Sequence, residues 1–75
     1  MKILAFGQIA EVTQKTQWEL EGFVDLATLK QHLHTEYPSL ASMTYLIAVN
    51  HNVTKENTAL KESDTVALLP PFSGG

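Results

Sequence analysis

Apolar residues recur along the chain in short groups whose spacing changes from strand-like to helix-like and back. Residues 2–6 are apolar at both alternate positions, which is typical of an inner strand covered on two faces. Residues 8–13 are predicted to form a short helical turn, because Ile9 and Val12 share one helical face. Residues 17–21 alternate between apolar and polar, as a half-buried strand does. The two strand segments, residues 2–6 and 17–21, are predicted to form a first hairpin.

One long helix is predicted after Asp25. Asp25 is a good N-cap, and Val24 and Leu29 occupy the two positions of a hydrophobic staple. Pro38 is predicted to end the helix. The apolar stripe that recurs at helical spacing, and is therefore predicted to face the core, comprises Leu26, Leu29, Leu33 and Tyr37.

The second half of the chain returns to strand patterns. Residues 45–50 predict a third strand, because residues 46–49 are apolar at both alternate positions. The Asn-His-Asn turn at residues 50–52 contains residue types that tolerate left-handed backbone, so residues 53–54 can begin a short return strand. Residues 55–64 are mostly polar and are interpreted as a surface connection held by Leu60.

The predicted element order is strand, strand, helix, strand, short strand, strand. That order favours an α+β fold in which one mixed sheet packs on one main helix. The pattern alone leaves the strand order open. At 75 residues the chain is predicted to be one domain, residues 1–75, near the size at which a single core only just suffices. Hydrophobic residues at 44% make a disordered chain unexpected.

Composition excludes several classes of function. The formal net charge is −3 with five Lys and Arg residues, so no basic surface is predicted and nucleic acid is not expected as a partner. The chain has no cysteine, which excludes a disulfide framework, a thiolate metal site and a cysteine nucleophile. Any sulfur chemistry would have to use sulfur brought by another molecule.

The histidines do not predict a metal site. His32 and His34 lie about 200° apart around the predicted helix, and His51 is isolated in a polar turn. All three are interpreted as surface residues, and no metal is expected. The apolar start of the chain is interrupted by Gly7 before it reaches signal-peptide length, and no segment is long enough to span a membrane. A cytoplasmic protein without a membrane partner is therefore expected.

The last ten residues differ from the rest of the chain. Residues 66–69 predict a short buried strand, and the proline pair that follows must end it because proline cannot donate to a ladder. We call residues 70–75 the tail. If fully extended, the tail reaches about 20 Å. Gly74 and Gly75 lack Cβ atoms, which lets a backbone enter a narrow channel.

This ending resembles that of the MoaD-like sulfur carriers, the small subunits of molybdopterin synthase in the wider ThiS/MoaD group. Their ending is a proline pair, one variable residue, a Ser, Thr or Ala, and two glycines, which is matched here by Pro70, Pro71, Phe72, Ser73, Gly74 and Gly75. The similarity covers nearly the whole chain. The other similar positions are Phe6, Ala10, Glu11, Leu29, Leu33, residues 48–50, Leu60, Asp64 and Val66.

The resemblance implies a β-grasp, ubiquitin-like fold whose first and last strands are parallel central neighbours. Three residues depart from the family pattern. Gln14 and Ser63 stand where glycines are common, so a backbone cost is expected wherever φ is positive. Phe72 replaces a usually smaller residue and alters how the tail fits its partner.

The resemblance also implies a chemistry. An ATP-dependent, MoeB-like activating enzyme would adenylate the carboxyl group of Gly75, and a sulfur donor protein would convert it to a thiocarboxylate. The tail would then enter a MoaE-like large subunit, in a heterotetramer, and deliver sulfur to a pterin precursor. No permanently bound cofactor is expected, and the catalytic groups are expected on the large subunit. The residues expected to bind the partner are Pro70, Pro71, Phe72, Ser73 and Gly74.

Two alternatives use the same double glycine. One is a sulfur carrier for thiazole synthesis or tRNA thiolation, although those relatives generally lack the proline pair. The other is a ubiquitin-like modifier, whose activated glycine is attacked by a lysine of another protein. A carrier gains only the mass difference between sulfur and oxygen, whereas a modifier becomes joined to its target.

Overall fold

The computed structural model describes residues 1–71, which form a five-stranded sheet and three helices. The elements in chain order are β1 (Lys2–Ala5), α1 (Gln8–Thr13), β2 (Gln17–Glu19), α2 (Leu26–Glu36), α3 (Pro38–Ala41), β3 (Leu46–Val49), β4 (Asn52–Thr54) and β5 (Thr65–Leu69). The predicted α+β arrangement of a mixed sheet on one main helix is confirmed.

The sheet has the strand order β2-β1-β5-β3-β4. Strands β1 and β5 are parallel neighbours, with Ile3 opposite Val66 and Ala5 opposite Leu68. The remaining neighbours in the sheet pair antiparallel. The first and last strands therefore lie side by side near the centre of the sheet, as the resemblance implied.

The core lies between one face of the sheet and the helices. Side chains of alternate strand residues point to this face, and several of them have no exposed surface. They pack in one cluster with the buried residues of the helices and of the connection before β5. The main members of this cluster are Ile3, Ala5, Ile9, Leu26, Leu29, Leu33, Leu40, Ile47, Leu60, Val66 and Leu68.

The prediction that residues 2–6 form a strand covered on two faces is wrong. Phe6 lies beyond the end of β1 and is 45% exposed, and Val53 of the return strand β4 is 55% exposed. Leu4 and Leu46, which point away from the core, are only half-buried. The physical reason is that the described helices all contribute to a single core cluster on one face. The second apolar face is left open within residues 1–71.

Helix α2 begins as predicted at its cap but differs at its staple. The Thr28 amide donates to Asp25 Oδ1 at 2.9 Å, and the Ala27 amide donates to Asn57 Oδ1 at 2.8 Å. Val24 is 71% exposed, so it does not close a staple over Leu29. Its carbonyl instead accepts from the Leu60 amide at 2.9 Å, next to the antiparallel bridge between Asp25 and Ala59.

The chain after α2 forms a third helix, α3, which was not predicted. Pro38 does end α2, but it also occupies the first turn of α3, where its missing N–H leaves no hydrogen bond unmade. Leu40 of α3 is fully buried. The predicted core stripe is confirmed at the three leucines of α2, and Tyr37 is half-buried at its end.

Turn geometry agrees with the residue types in the loop between β3 and β4 but not at Gln14. Asn50 and His51 have φ of 50° and 71° and form the two-residue loop between β3 and β4. Gln14 has φ of 59° at the end of α1, so the expected backbone cost does arise there. Ser63 has no positive φ, so no cost arises there. The turn at 61–64 is closed by the Asp64 amide donating to the Lys61 carbonyl at 3.1 Å and by the Lys61 amide donating to Asp64 Oδ2 at 2.8 Å.

The interpretation of the histidines as surface residues holds only for His51, which is exposed. His32 is half-buried, with its ring centroid 5.0 Å from that of Phe23. His34 is also half-buried, and its Nε2 lies 2.6 Å from the Tyr45 hydroxyl oxygen. Each of the two helical histidines therefore packs against an aromatic residue outside α2.

Candidate functional site

The tail leaves the fold from the central strand β5. Its first proline, Pro70, is half-buried, and Pro71 is exposed. The Phe6 amide donates to the Leu68 carbonyl at 3.1 Å, so pairing between the two central strands continues almost to the prolines. We call Leu69 and Pro70 the tail root. The other predicted site residues, namely Phe72, Ser73, Gly74 and Gly75, lie outside the described residues.

The tail root packs against the junction between β1 and α1. At that junction Gly7 has φ of 59° and ψ of −134°, a conformation that glycine adopts far more readily than other residues. A Cβ atom on Gly7 would lie 3.3 Å from Pro70 Cγ and 3.7 Å from Pro70 Cδ. The proline ring therefore covers the bare α-carbon of Gly7. In the sequence Gly7 was noted only because it interrupts an apolar run, and nothing local indicates its contact with a residue 63 positions later (70 − 7).

An open groove of about 270 Å³ runs along the uncovered face of the sheet. We call this surface the outer apolar face, and its members are Leu4, Phe6, Ala48, Val53, Ala67 and Leu69. His51 and Thr65 line the groove at the end where β5 begins. The opposite end lies at Phe6 and Leu69, the residues that directly precede Gly7 and Pro70. The outer apolar face is therefore continuous with the tail root.

The outer apolar face has the character of an interaction surface. Its two most open side chains, Phe6 and Val53, are large and apolar, and they lie on one continuous surface instead of being scattered singly. This surface was not predicted from the sequence, although the residue pattern contained a signal for it. Strands that are apolar at both alternate positions require two covers, and one main helix supplies a single cover.

A second, larger groove lies away from the tail. It has a volume of about 320 Å³ and runs between the start of α2, the start of β3 and the loop at 54–57. Lys30, Lys55 and Glu56 line it together with Tyr45. Neither residue of the tail root contributes to it, so we assign the candidate site to the outer apolar face despite the smaller volume of its groove.

The titratable groups with shifted pKa values have structural partners. The pKa of Asp25 is lowered by hydrogen bonds from Thr28, and that of Asp64 is lowered mainly by the Asn50 side-chain amide, whose Nδ2 donates at 2.8 Å. Burial raises the pKa of the Tyr45 hydroxyl. None of these three residues lines the groove of the outer apolar face. Their shifts are explained by capping, turn closure and burial.

Within residues 1–71 no group of three or more His, Asp or Glu side chains is arranged to hold a metal ion. The helices described here are also too short or too polar to cross a lipid bilayer.

Comparison with known proteins gives the chain a family. The sequence model of the ThiS family matches residues 3–75. The chain belongs to the ThiS family. The protein is thus a ubiquitin-like sulfur carrier of the ThiS/MoaD type, and carriers of this family are activated at the C-terminus by an activating enzyme and deliver to a partner.

Individual relatives agree with the family. The ThiS-family chain is 29% identical over 80 aligned positions to the molybdopterin synthase sulfur carrier subunit of Mycobacterium tuberculosis, covering 100% of this chain and 96% of that protein. Its fold is similar to the solution structure of small archaeal modifier protein 1 from Methanosarcina acetivorans, with a TM-score of 0.82 and 24% identity, covering 99% and 94% of the two chains. This structural similarity supports the β-grasp fold alone.

Proposed function

We propose that this ThiS-family protein is the sulfur carrier subunit of a molybdopterin synthase. The observation that carries the proposal is the ending Pro-Pro-Phe-Ser-Gly-Gly, which follows directly from the central strand β5. The similarity to a protein named as a molybdopterin synthase sulfur carrier subunit, along nearly the full length of both chains, supports the same role.

In this proposal the reacting group is the carboxyl group of Gly75. A carboxylate resists nucleophilic attack, so it must first be joined to AMP, with release of pyrophosphate from ATP. Attack of a sulfur nucleophile on the acyl-adenylate then expels AMP and leaves a thiocarboxylate. Like a thiolate, the thiocarboxylate is anionic and a soft nucleophile at neutral pH. It would deliver its sulfur to a carbon of the pterin precursor, twice for each product.

The catalytic groups for these steps would belong to partners. Gly74 and Gly75 have no side chain that could act as a general base. Asp25 and Asp64, whose pKa values are lowered, have structural roles in a cap and a turn. An ATP-dependent adenylating enzyme, a sulfur donor protein and the large synthase subunit are therefore the proposed partners. With the large subunit the carrier would form a heterotetramer.

Docking of these partners is proposed to use two surfaces together. The outer apolar face would bind the body of the partner, since burial of apolar surface is the main favourable term in association. Pro71, Phe72, Ser73 and Gly74 would contact the channel that holds Gly75, with Pro70 at its entrance. Because the face adjoins the tail root, a partner bound there is in position to receive the tail.

A reconstitution tests this function. The protein is incubated with ATP, a purified adenylating enzyme and sulfide, and its intact mass is measured before a pterin precursor and large subunit are added. The proposal expects the mass to rise by the difference between sulfur and oxygen and then to return as the dithiolene product forms. A thiocarboxylate that the large subunit cannot use would point to another sulfur pathway, and a lysine-linked conjugate would point to a modifier.

A further inference from the structure

We propose that Gly7 is a positioning residue that fixes the direction in which the tail leaves the fold, by forming a seat for the ring of Pro70. The expected effect on activity rests on the proposed function, whereas the contact between Gly7 and Pro70 is observed in the structure. It also assigns different roles to the two prolines. Pro70 is held on the carrier's own surface, and Pro71 is the first residue of the tail that is open to a partner.

The seat is formed by the absence of a side chain. An ideal Cβ on Gly7 would approach three atoms of the Pro70 ring, at 3.3, 3.7 and 3.8 Å. The shortest of these distances is tighter than an ordinary van der Waals contact. An alanine at this position would therefore push the ring away, and it would also strain a backbone with φ of 59° and ψ of −134°.

The surrounding backbone leaves the ring little freedom. The Phe6 amide is bonded to the Leu68 carbonyl at 3.1 Å, and the Gly7 carbonyl accepts from the Glu11 amide at 3.3 Å. Both sides of the contact are thus tied to regular structure, one to the central strands and one to the first turn of α1. The proline ring further fixes φ of Pro70 near −65°. Up to Pro70, therefore, the path of the chain is set by hydrogen-bonded regular structure.

Direction matters because the reacting carbon lies several residues beyond Pro70. When the carrier is docked through its outer apolar face, the effective concentration of the tail tip at a partner's active site depends on where the tail starts and how it is aimed. A misplacement of about 1 Å can cost up to about a hundredfold in rate when reactants must be aligned. A displaced Pro70 ring would therefore slow the reaction without weakening docking through the face.

The test compares Gly7→Ala with Gly22→Ala. Gly22 also has positive φ, at 87°, but a Cβ there meets nothing within 4 Å, so this variant reproduces backbone strain away from the tail root. Thiocarboxylate formation is measured at several carrier concentrations with ATP, adenylating enzyme and sulfide, well below the melting temperature of each variant. Gly7→Ala is expected to lower kcat about tenfold with little change in KM. Gly22→Ala is expected to retain the wild-type kcat.

A second measurement needs no partner. Nuclear Overhauser contacts between the α-protons of Gly7 and the ring protons of Pro70 report the seat, and the Cα–Hα residual dipolar coupling of Pro71 reports the exit direction. In Gly7→Ala both are expected to change, and in Gly22→Ala neither is. Absence of the contact in the wild-type protein, or an unchanged Pro71 coupling in Gly7→Ala, would overturn the inference.

The two measurements separate the possible failures. If wild-type protein is not activated by the adenylating enzyme, the proposed function fails, and the magnetic resonance data still decide whether Gly7 sets the exit direction. If wild-type protein is activated and the two glycine variants have equal kcat, the positioning role is wrong although the sulfur-carrier function stands.

Discussion

Phe72 is the one residue of the tail with a large side chain. This makes it the strongest candidate for a single residue that anchors the tail in a partner. A small residue would suffice for a tail that only has to pass through a channel. Aromatic side chains, by contrast, are enriched among the residues that dominate binding energy at interfaces. The residue is therefore expected to fill a pocket on the large subunit.

Truncation of this side chain tests whether Phe72 anchors the tail. Phe72→Ala should weaken the complex with the large subunit about fivefold or more, because a desolvated aromatic anchor commonly contributes above about 1 kcal/mol. The melting temperature of the free carrier should barely change. Titration of the large subunit with both proteins measures the effect, and equal affinities would remove Phe72 from the binding residues.

Single residues also show how far sequence reasoning reaches. Asp25 was predicted as an N-cap and Gln14 as a strained turn residue, because both roles depend on neighbours within a few positions. The contacts of Val24 and Gly7 were not predicted. Their environments depend on Leu60 and Pro70, which are distant along the chain, and residue patterns contain no information about such contacts before the strand order is known.

At the scale of elements, the cap of α2 makes stability depend on pH. Hydrogen bonds from Thr28 lower the pKa of Asp25 in the folded protein. A lowered folded-state pKa contributes stability above the unfolded value, about 3.9, and that stability is lost as the pH falls through the folded value. The folded protein should therefore lose part of its stability in the acid range below about pH 4.

Two substitutions isolate this contribution. Asp25→Asn keeps a good N-cap without a titrating group, so its deficit relative to wild type should be present at neutral pH and shrink in acid. Asp25→Ala removes the cap and should be destabilised at both pH values. Urea unfolding at pH 7 and pH 3 measures both effects. A constant difference between wild type and Asp25→Asn across this range would contradict the assignment.

A charge placed on the exposed face of the sheet tests whether that face binds a partner. Val53 of β4 is 55% exposed on the outer apolar face, so Val53→Lys should leave the melting temperature nearly unchanged and weaken binding to the large subunit by placing a charge in an apolar contact. Val24 is 71% exposed but does not line the groove, which makes Val24→Lys the matched control. Equal affinities for the two variants would exclude this face from docking.

The same face explains what the strand patterns predicted and what they did not. Strands β1, β3 and β5 were located from their apolar runs, and the core-facing half of each run was confirmed. For β1 the other half was predicted to have a second cover, which residues 1–71 do not provide. Burial by a partner and burial by the chain itself favour the same residue types, so composition alone could not distinguish them.

At the scale of the whole molecule, the parallel pairing of β1 with β5 connects fold and function. This pairing brings the last strand to the middle of the sheet, next to the first, and so places the tail root beside Gly7 and the outer apolar face. The residue pattern left this strand order open, because contacts between the two ends of a chain have no local signature. The family resemblance implied the order, and the structure confirms it.

The proposed function depends on transfer of sulfur to the carboxyl carbon of Gly75, and extending the chain by one residue tests this step. The wild-type protein and a variant with one alanine added after Gly75 are incubated with ATP, adenylating enzyme and sulfide, and intact masses are recorded. The extension should leave the melting temperature unchanged, since chain ends contribute little to a core. We predict a sulfur-for-oxygen mass increase in the wild-type protein alone. The same increase in an extended protein shown to be unprocessed would contradict the account.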